Sequence, residues 1–196
     1  MSVPLHVTAT LDTAACGVEG NPLPLDGILA WAMHAREHNP DPPRGRIKDY
    51  DLPLEKWHAC RTWGWQASSA HPSIIGHTSL QIRRKPPDWQ LARYTREKKN
   101  HHGLDAWKAR DLTIPATLID TISWDVVATD PSQVENLLQD ITHIGSHRAL
   151  GCGHVTSWTI SQSEDQDAWK DRPMPSPGHP GRYRPPYWSQ DRQTTC

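Results

Sequence analysis

The sequence contains no phenylalanine, although it holds ten tryptophans. Hydrophobic residues are also sparse, at 36%, and many of the 18 prolines sit in connecting segments. We therefore expect the packed core to occupy much less than the whole chain. Tryptophan rings suit a core, but their size and amphipathic character also suit stacking on unpaired bases.

Several other features are missing as well. The four cysteines (Cys16, Cys60, Cys152 and Cys196) are widely spaced without a CxxC pair, so neither a zinc cluster nor a disulfide framework is predicted, and no cofactor is expected. The N-terminus lacks the basic start and apolar stretch of a secretion signal, and no apolar run approaches the roughly 20 residues that span a bilayer. We predict a cytoplasmic protein without membrane contact.

Charge of either sign is nearly balanced, with a formal net charge of −1, so the overall charge does not indicate nucleic-acid binding. The distribution is uneven, because residues 83–110 contain nine Lys or Arg against three acids. Such a run is often a solvated face, yet a local excess also favours a phosphate-binding patch on an exposed hairpin, short helix or loop. The candidate RNA contacts are Arg83, Arg84, Arg93, Arg96, Lys98, Lys99, Lys108 and Arg110.

Hydrophobic periodicity predicts a strand at residues 5–11 and then a helix over residues 25–38. Weaker alternation predicts strands at residues 57–69 and 80–85. Near the other end, residues 116–128 read as a strand. A helix capped by Thr129 or Asp130 follows, runs to Ile144 and stops at Gly145, before a last strand over residues 155–160.

These elements predict an α+β, ferredoxin-like (RRM-like) βαββαβ core with a decorated middle. The predicted domain covers residues 1–162 and includes residues 83–112 as a basic insertion. Residues 163–196, first acidic and then rich in proline, form a tail that is either extended against the domain or disordered.

The segment between the last helix and the last strand, residues 144–155, reads IGSHRALGCGHV. Its three glycines let the backbone approach a partner closely and turn N–H groups outward, while Arg148 supplies positive charge. The alternative is a helix C-cap at Gly145 followed by an ordinary turn. A GxxxxGK[ST] phosphate loop is excluded, because the helix precedes the strand. The candidate RNA contacts here are Gly145, Ser146, His147, Arg148, Gly151 and Gly153.

This glycine-rich pattern resembles the signature loop of the CRISPR-associated RAMP superfamily. The helix start LDGILAWA at residue 25 is similar to the LDGLLA start of those proteins. Residues 52–54 and 65–70 also resemble segments of that family. In length and motif order the chain resembles the Cas-five-family subunit of type IV systems over residues 4–162.

The resemblance implies a non-catalytic subunit of an antiviral ribonucleoprotein that binds the 5′ handle of the guide RNA (crRNA) and caps the backbone filament. It implies that Gly145, Arg148, Gly151 and Gly153 lie against the guide backbone, and that the basic insertion acts as a thumb. Implied partners are the guide RNA, backbone and large-subunit-like effector proteins, nearby target DNA and a recruited helicase.

Twelve histidines leave an enzymatic alternative open, a metal-independent endoribonuclease that processes guide RNA. Its candidate residues are His34 and His38, one helical turn apart, and His101 and His102 in the basic segment. No third metal ligand and no paired acidic cluster accompany them. A small RNA-binding protein unrelated to CRISPR is the third alternative.

Overall fold

The structure, a computed structural model, describes residues 2–38, 48–60, 62–84 and 110–195. The elements in chain order are β1 (Val3–Leu11), α1 (Leu25–His38), β2 (Lys56–Ala59), β3 (Thr62–Trp65), β4 (His71–Arg84), β5 (Arg110–Ala128), α2 (Pro131–Leu138), β6 (Val155–Gln162), β7 (Pro180–Arg182) and β8 (Gln193–Thr195). No helix in these ranges is long and apolar enough to cross a membrane.

Four strands form the main sheet, in the order β4-β5-β1-β6, and every neighbouring pair is antiparallel. Two small sheets join β2 to β3 and β7 to β8. The fold is therefore mixed α/β and dominated by antiparallel sheet, which agrees with the predicted class at this level.

Alternation along β1 explains where the core lies. Leu5, Val7, Ala9 and Leu11 are buried, while the residues between them are partly exposed. The buried residues share one cluster with the apolar residues of α1 and α2 and with Trp124 of β5. Because side chains alternate between the faces of a strand, the two helices cover one face of the sheet.

The second helix is shorter than the periodicity predicts. Asp130 caps it as expected, since its carboxylate accepts a hydrogen bond from the Gln133 N–H at 3.1 Å, but α2 ends at Leu138 instead of Ile144. The Ile144 N–H donates to the Gly153 carbonyl at 2.8 Å. This residue thus stays buried at helical spacing while its backbone pairs across the turn, so the prediction of a helix to Gly145 was wrong.

The middle of the chain also differs from its prediction. The single strand predicted over residues 57–69 is the hairpin of β2 and β3, which turns at Cys60, whose φ is 55°. Cys60 is disulfide-bonded, so the spacing argument against disulfides was wrong for this residue. The strand predicted at 80–85 begins earlier, at His71, and pairs with β5 as far as Arg84 and Arg110.

Residues 163–195, the C-terminal segment, fold back onto the domain. Trp169 and Tyr183 are buried and form a second apolar cluster with Trp57 and Val127. The chain then makes the small β7–β8 sheet. The acidic and proline-rich composition hid this cluster, because its few large rings are separated by polar and turn-forming residues.

Candidate nucleic-acid interface

The glycine-rich segment presents an exposed turn. Residues 146–151 are exposed, and Arg148–Leu150 form a single turn of 3-10 helix. His147 before this turn and Gly151 after it both have positive φ, at 57° and 84°. A Cβ at Gly151 would meet nothing within 4 Å, so this glycine serves backbone conformation and leaves the surface of the turn open.

The flanking glycines have a different role. A Cβ at Gly145 would lie 2.5 Å from the Cys16 carbonyl oxygen, and one at Gly153 would overlap the carbonyl of Ile144. The N–H groups of Ser146 and Gly153 donate to the carbonyls of Cys16 and Ala14, at 2.8 and 2.9 Å.

The Gly151 N–H also stays inside the segment, donating to the Arg148 carbonyl at 2.9 Å. The expectation that the three glycines turn their N–H groups outward was therefore wrong for Gly151 and Gly153. The Gly153 N–H is used in packing on the loop after β1, and the Gly151 N–H closes the short turn.

Arg148 has the setting expected of a cation available to a ligand. Its guanidinium carbon lies 4.9 Å from the centre of the Trp31 ring on α1. The side chain is exposed, and no carboxylate among the described residues pairs with it. The ring orients the guanidinium through a cation–π contact while its N–H donors stay free for an anion.

A cavity of about 830 Å³ opens beside this pair. Its walls come from α1, from residues 48–50, from the glycine-rich segment and from the C-terminal segment. Aromatic rings contribute much of the lining, namely those of Trp31, Tyr50, Trp65, Tyr187 and Trp188. This volume lies within the range of small-molecule sites, roughly 300–1,000 Å³.

Charged side chains of both signs line the cavity, among them Lys48 and Asp49, which are already paired. Lys48 binds Glu37 at 2.6 Å, and Arg184 and Arg192 both contact Asp49, at 3.4 and 2.6 Å. Glu37 raises the pKa of Lys48 through its hydrogen bond.

Arg148 and Arg182 line the cavity and have no carboxylate partner in the described part of the chain. Arg182 donates instead to the Tyr187 carbonyl at 3.0 Å. The cavity therefore carries two uncompensated positive charges.

A buried polar cluster holds the C-terminal wall against α1. The Arg172 side chain is 2% exposed and its Nη1 lies 3.6 Å from Oδ2 of Asp26, which is fully buried. The Tyr187 hydroxyl donates to the same oxygen at 2.6 Å and accepts from Arg172 at 2.7 Å. A Cβ at Gly27 would lie only 3.3 Å from the Tyr187 ring. The Asp-Gly pair of the helix start thus receives the C-terminal segment.

Burial perturbs the ionisation of this cluster. Desolvation raises the pKa of Asp26, and the charge of Arg172 and the hydrogen bond from Tyr187 oppose that rise in part. Desolvation also raises the pKa of Tyr187 well above its ordinary value, which keeps its hydroxyl protonated and able to donate. Burial lowers the pKa of Arg172, but the charges and hydrogen bonds of Asp26 and Tyr187 together outweigh it, and the net direction is upward. The guanidinium therefore stays charged.

The basic arm, the end of the β4–β5 ribbon that carries Arg83, Arg84 and Arg110, lies on the other side of the glycine-rich turn. A small cavity of about 180 Å³ separates Leu80 of β4 from Leu150 and Gly151. Arg84 lies four residues beyond Leu80, or ~13 Å along an extended strand, and is paired in register with Arg110. Arg83 lies 3.2 Å from Asp111, which offsets its charge. The predicted contacts at Arg93, Arg96, Lys98, Lys99 and Lys108 lie outside the described residues.

The histidines proposed for catalysis are not brought together in the described part of the chain. His34 is buried, with its Nδ1 2.9 Å from the Tyr50 hydroxyl. His38 ends α1 with its side chain undescribed, and the pair at 101–102 lies outside the described residues. His143 and His154 do lie in contact, with ring centres 5.0 Å apart and ring planes inclined by 58°. No group of three or more potential metal ligands occurs among the described residues.

The residues of the C-terminal segment that line the cavity were not predicted from the sequence. Arg182, Tyr187 and Trp188 lie in the stretch GRYRPPYW, which was read as tail because of its prolines. The alternation of arginines and rings in that stretch is the signal that could have found them. Trp31 belongs to the LDGILAWA helix start, but the sequence predicted no binding role for it.

Comparison with known proteins adds a family. A model described as CRISPR type IV associated protein Csf3 matches residues 3–125 and 115–196. No curated protein sequence matches the chain. A chain of the cryo-EM structure of the Type III-B Cmr-beta bound to cognate target RNA is similar, with a TM-score of 0.44 and 9% identity. That match covers 82% of this chain and 61% of the other, so this chain spans less than two thirds of its length. Because the family model extends across both the domain and the C-terminal segment, the chain belongs to the Csf3 family of type IV CRISPR-associated proteins.

Proposed function

We propose that this protein is a non-catalytic, RNA-binding subunit of a type IV CRISPR ribonucleoprotein, and that the turn carrying Arg148 contacts the guide backbone. The observation that carries the proposal is the exposed, unpaired Arg148 held over Trp31 at the mouth of a positively charged cavity. A phosphodiester chain supplies both the anions and the flat rings that such a surface accepts.

The finer fold assignment belongs to this proposal. The chain order β1, α1, β4, β5, α2, β6 and the sheet order β4-β5-β1-β6 support a ferredoxin-like split fold of the RAMP type, in which β2 and β3 are an insertion. We assign the chain a Cas-five-like position, where it binds the 5′ handle and caps the backbone filament. Its protein neighbours would be backbone and large-subunit-like proteins, with target DNA and a helicase nearby.

The basic arm extends the proposed surface. Arg84 and Arg110 lie opposite each other on β4 and β5, and the exposed turn lies beside the same ribbon nearer the core. An RNA strand that contacts Arg148 and continues along the ribbon would meet both arginines. The five basic residues predicted beyond them stay part of this proposal.

The test is a binding and cleavage assay with labelled CRISPR repeat RNA in EDTA. Wild-type protein should shift the RNA and leave it intact. Arg148→Gln should weaken binding and lower the slope of log affinity against log salt by about 0.7, the value for one lost contact to single-stranded phosphate. Lys170→Gln is the matched control, because Lys170 is exposed and paired with Asp167 at 2.9 Å, outside the cavity.

Each alternative has its own result in this assay. Metal-independent cleavage of the repeat would favour the endoribonuclease. Equal affinity for the repeat and for an unrelated RNA of the same length would favour an RNA-binding protein outside CRISPR. An Arg148→Gln variant with wild-type affinity and salt slope would remove the proposed role of the turn.

A further inference from the structure

The C-terminal segment contributes an unusual surface to the cavity. Trp188 is 66% exposed although it is the largest kind of side chain, and it lies in the lining together with Tyr187. Exposed tryptophan leaves a large apolar area in contact with water, and such rings are enriched where ligands bind. Trp31 contributes a further ring from α1, so aromatic side chains lie on both the helix and the C-terminal walls.

The charge of the cavity restricts the ligand further. Lys48 is offset by Glu37, and Asp49 by Arg184 and Arg192. Among the residues that the structure describes, Arg148 and Arg182 have no carboxylate partner. Arg148 comes from the glycine-rich turn and Arg182 from the C-terminal segment, so the unpaired cations also belong to two different walls. An apolar ligand would form no ion pair or hydrogen bond with either arginine. A flat ring joined to an anion would use the rings and the cations together.

Size excludes a double helix from this site. A cavity of about 830 Å³ accepts a molecule of nucleotide size but no stacked pair of strands. Proteins that bind single-stranded RNA commonly splay bases out and stack them on aromatic side chains. The site is therefore suited to an unpaired nucleotide whose base is turned out from the stack of the RNA strand.

We propose that this cavity holds one unpaired nucleotide of the bound RNA, with its base among the aromatic walls and its phosphate between Arg148 and Arg182. Residues 172–188 of the C-terminal segment then form half of an RNA site. This inference rests on the proposed function, because the turn that contacts the guide backbone is also one edge of the cavity.

The test places 2-aminopurine at successive unpaired positions of the repeat RNA, one position per molecule. Stacking on protein rings quenches this base, so wild-type protein should quench one position well beyond its neighbours. Trp188→Ala should restore fluorescence at that position and weaken binding about tenfold or more, without changing the salt slope. Arg182→Gln should weaken binding and reduce the slope by about 0.7.

Two variants in the same segment serve as controls. Met174→Ala removes an exposed apolar side chain outside the lining, and Lys170→Gln removes an exposed charge outside it. Both should keep wild-type affinity and the wild-type quenching pattern. Trp188 is exposed, so its replacement should leave the thermal midpoint within about 2 °C of wild type.

The outcomes separate this inference from the proposed function. If Arg148→Gln weakens binding while Trp188→Ala and Arg182→Gln do not, RNA lies on the turn, and the nucleotide site is refuted. A cavity that receives a segment of a neighbouring protein would give this same result. If Arg148→Gln also has no effect, or if wild-type protein fails to bind RNA, the proposed function falls together with the inference.

Discussion

Replacing Arg172 by methionine is the sharpest test of how the C-terminal segment is held. The methionine fills much of the same space but removes the charge that faces the fully buried Asp26 at 3.6 Å. It also removes the hydrogen bonds from Arg172 to the carbonyls of Trp65, Ala67 and Tyr183, at 2.9, 2.8 and 3.1 Å. The carbonyls of Ala67 and Tyr183 lose this donor, and the Asp26 carboxylate loses its counter-charge. The Trp65 carbonyl keeps the Trp57 indole N–H at 3.0 Å, and the carboxylate keeps the Tyr187 hydroxyl at 2.6 Å.

The magnitude follows from the asymmetry of buried ion pairs. Breaking such a pair by removing one partner costs about 3–5 kcal/mol, because the remaining charge is left desolvated. For a chain of this size, that loss lowers Tm by roughly 6–20 °C. Urea unfolding followed by tryptophan fluorescence measures it directly, since Trp169 and Trp57 lie in the apolar cluster that the C-terminal segment completes.

A double-mutant cycle identifies the partner. Asp26→Asn keeps the shape of the side chain and its acceptor for Tyr187 but removes its charge. The double variant should lose about 1 kcal/mol or more less than the sum of the two single losses, since it leaves no unpaired buried charge. Lys170→Met is the control and should cost under about 1 kcal/mol, as an exposed ion pair does.

Two results would refute this reasoning. The first is an Arg172→Met variant within about 1 kcal/mol of wild type, measured against the 3–5 kcal/mol expected for a broken buried pair. The second is strict additivity of the two substitutions, which would mean that Arg172 and Asp26 act independently.

The remaining predictions concern the glycine-rich turn and the thiols. Gly153→Ala should destabilise the protein by several kcal/mol, since φ is +67° and the new Cβ overlaps the Ile144 carbonyl, whereas Gly151→Ala, with open space around it, should cost about 1 kcal/mol; thermal unfolding compares them. Burial raises the pKa of Cys16 to about 11, from 9.0. Because the thiolate is the nucleophile, Cys16 should be alkylated about a hundredfold more slowly at pH 8 than an exposed thiol, and mass spectrometry of alkylated peptides before and after unfolding tests this.

Local patterns identified most of the main sheet and the start of both helices. The alternation of β1 and the helical spacing of α1 both survive in the structure, because each element buries one face and its periodicity records that face. The end of α2 was not predictable in this way. Ile141 and Ile144 are buried at helical spacing, but their backbone is irregular because Ile144 pairs with Gly153, a partner fixed only by the turn.

The candidate site was predictable in part. The turn with Arg148 was visible from its glycines, yet the reason for two of those glycines was not. Gly145 is required by the Cys16 carbonyl, which lies far earlier in the chain, and Gly153 by the Ile144 carbonyl, which the turn brings against it. The aspartate of the helix start was noted only as part of the LDGILAWA motif. Its partners, Arg172 and Tyr187, lie in a segment whose composition favours disorder.

The sequence by itself determined β1, β6 and much of β5, the helix starts and the exposed turn, because these depend on neighbours within a few residues and on the period of the backbone. Tertiary structure decided that the C-terminal segment folds back, that Asp26 binds Arg172, and that Trp31, Arg148 and Trp188 line one cavity. Those relations depend on which faces become buried together. Desolvation and long-range hydrogen bonding act only after the chain has closed, so no local pattern records them.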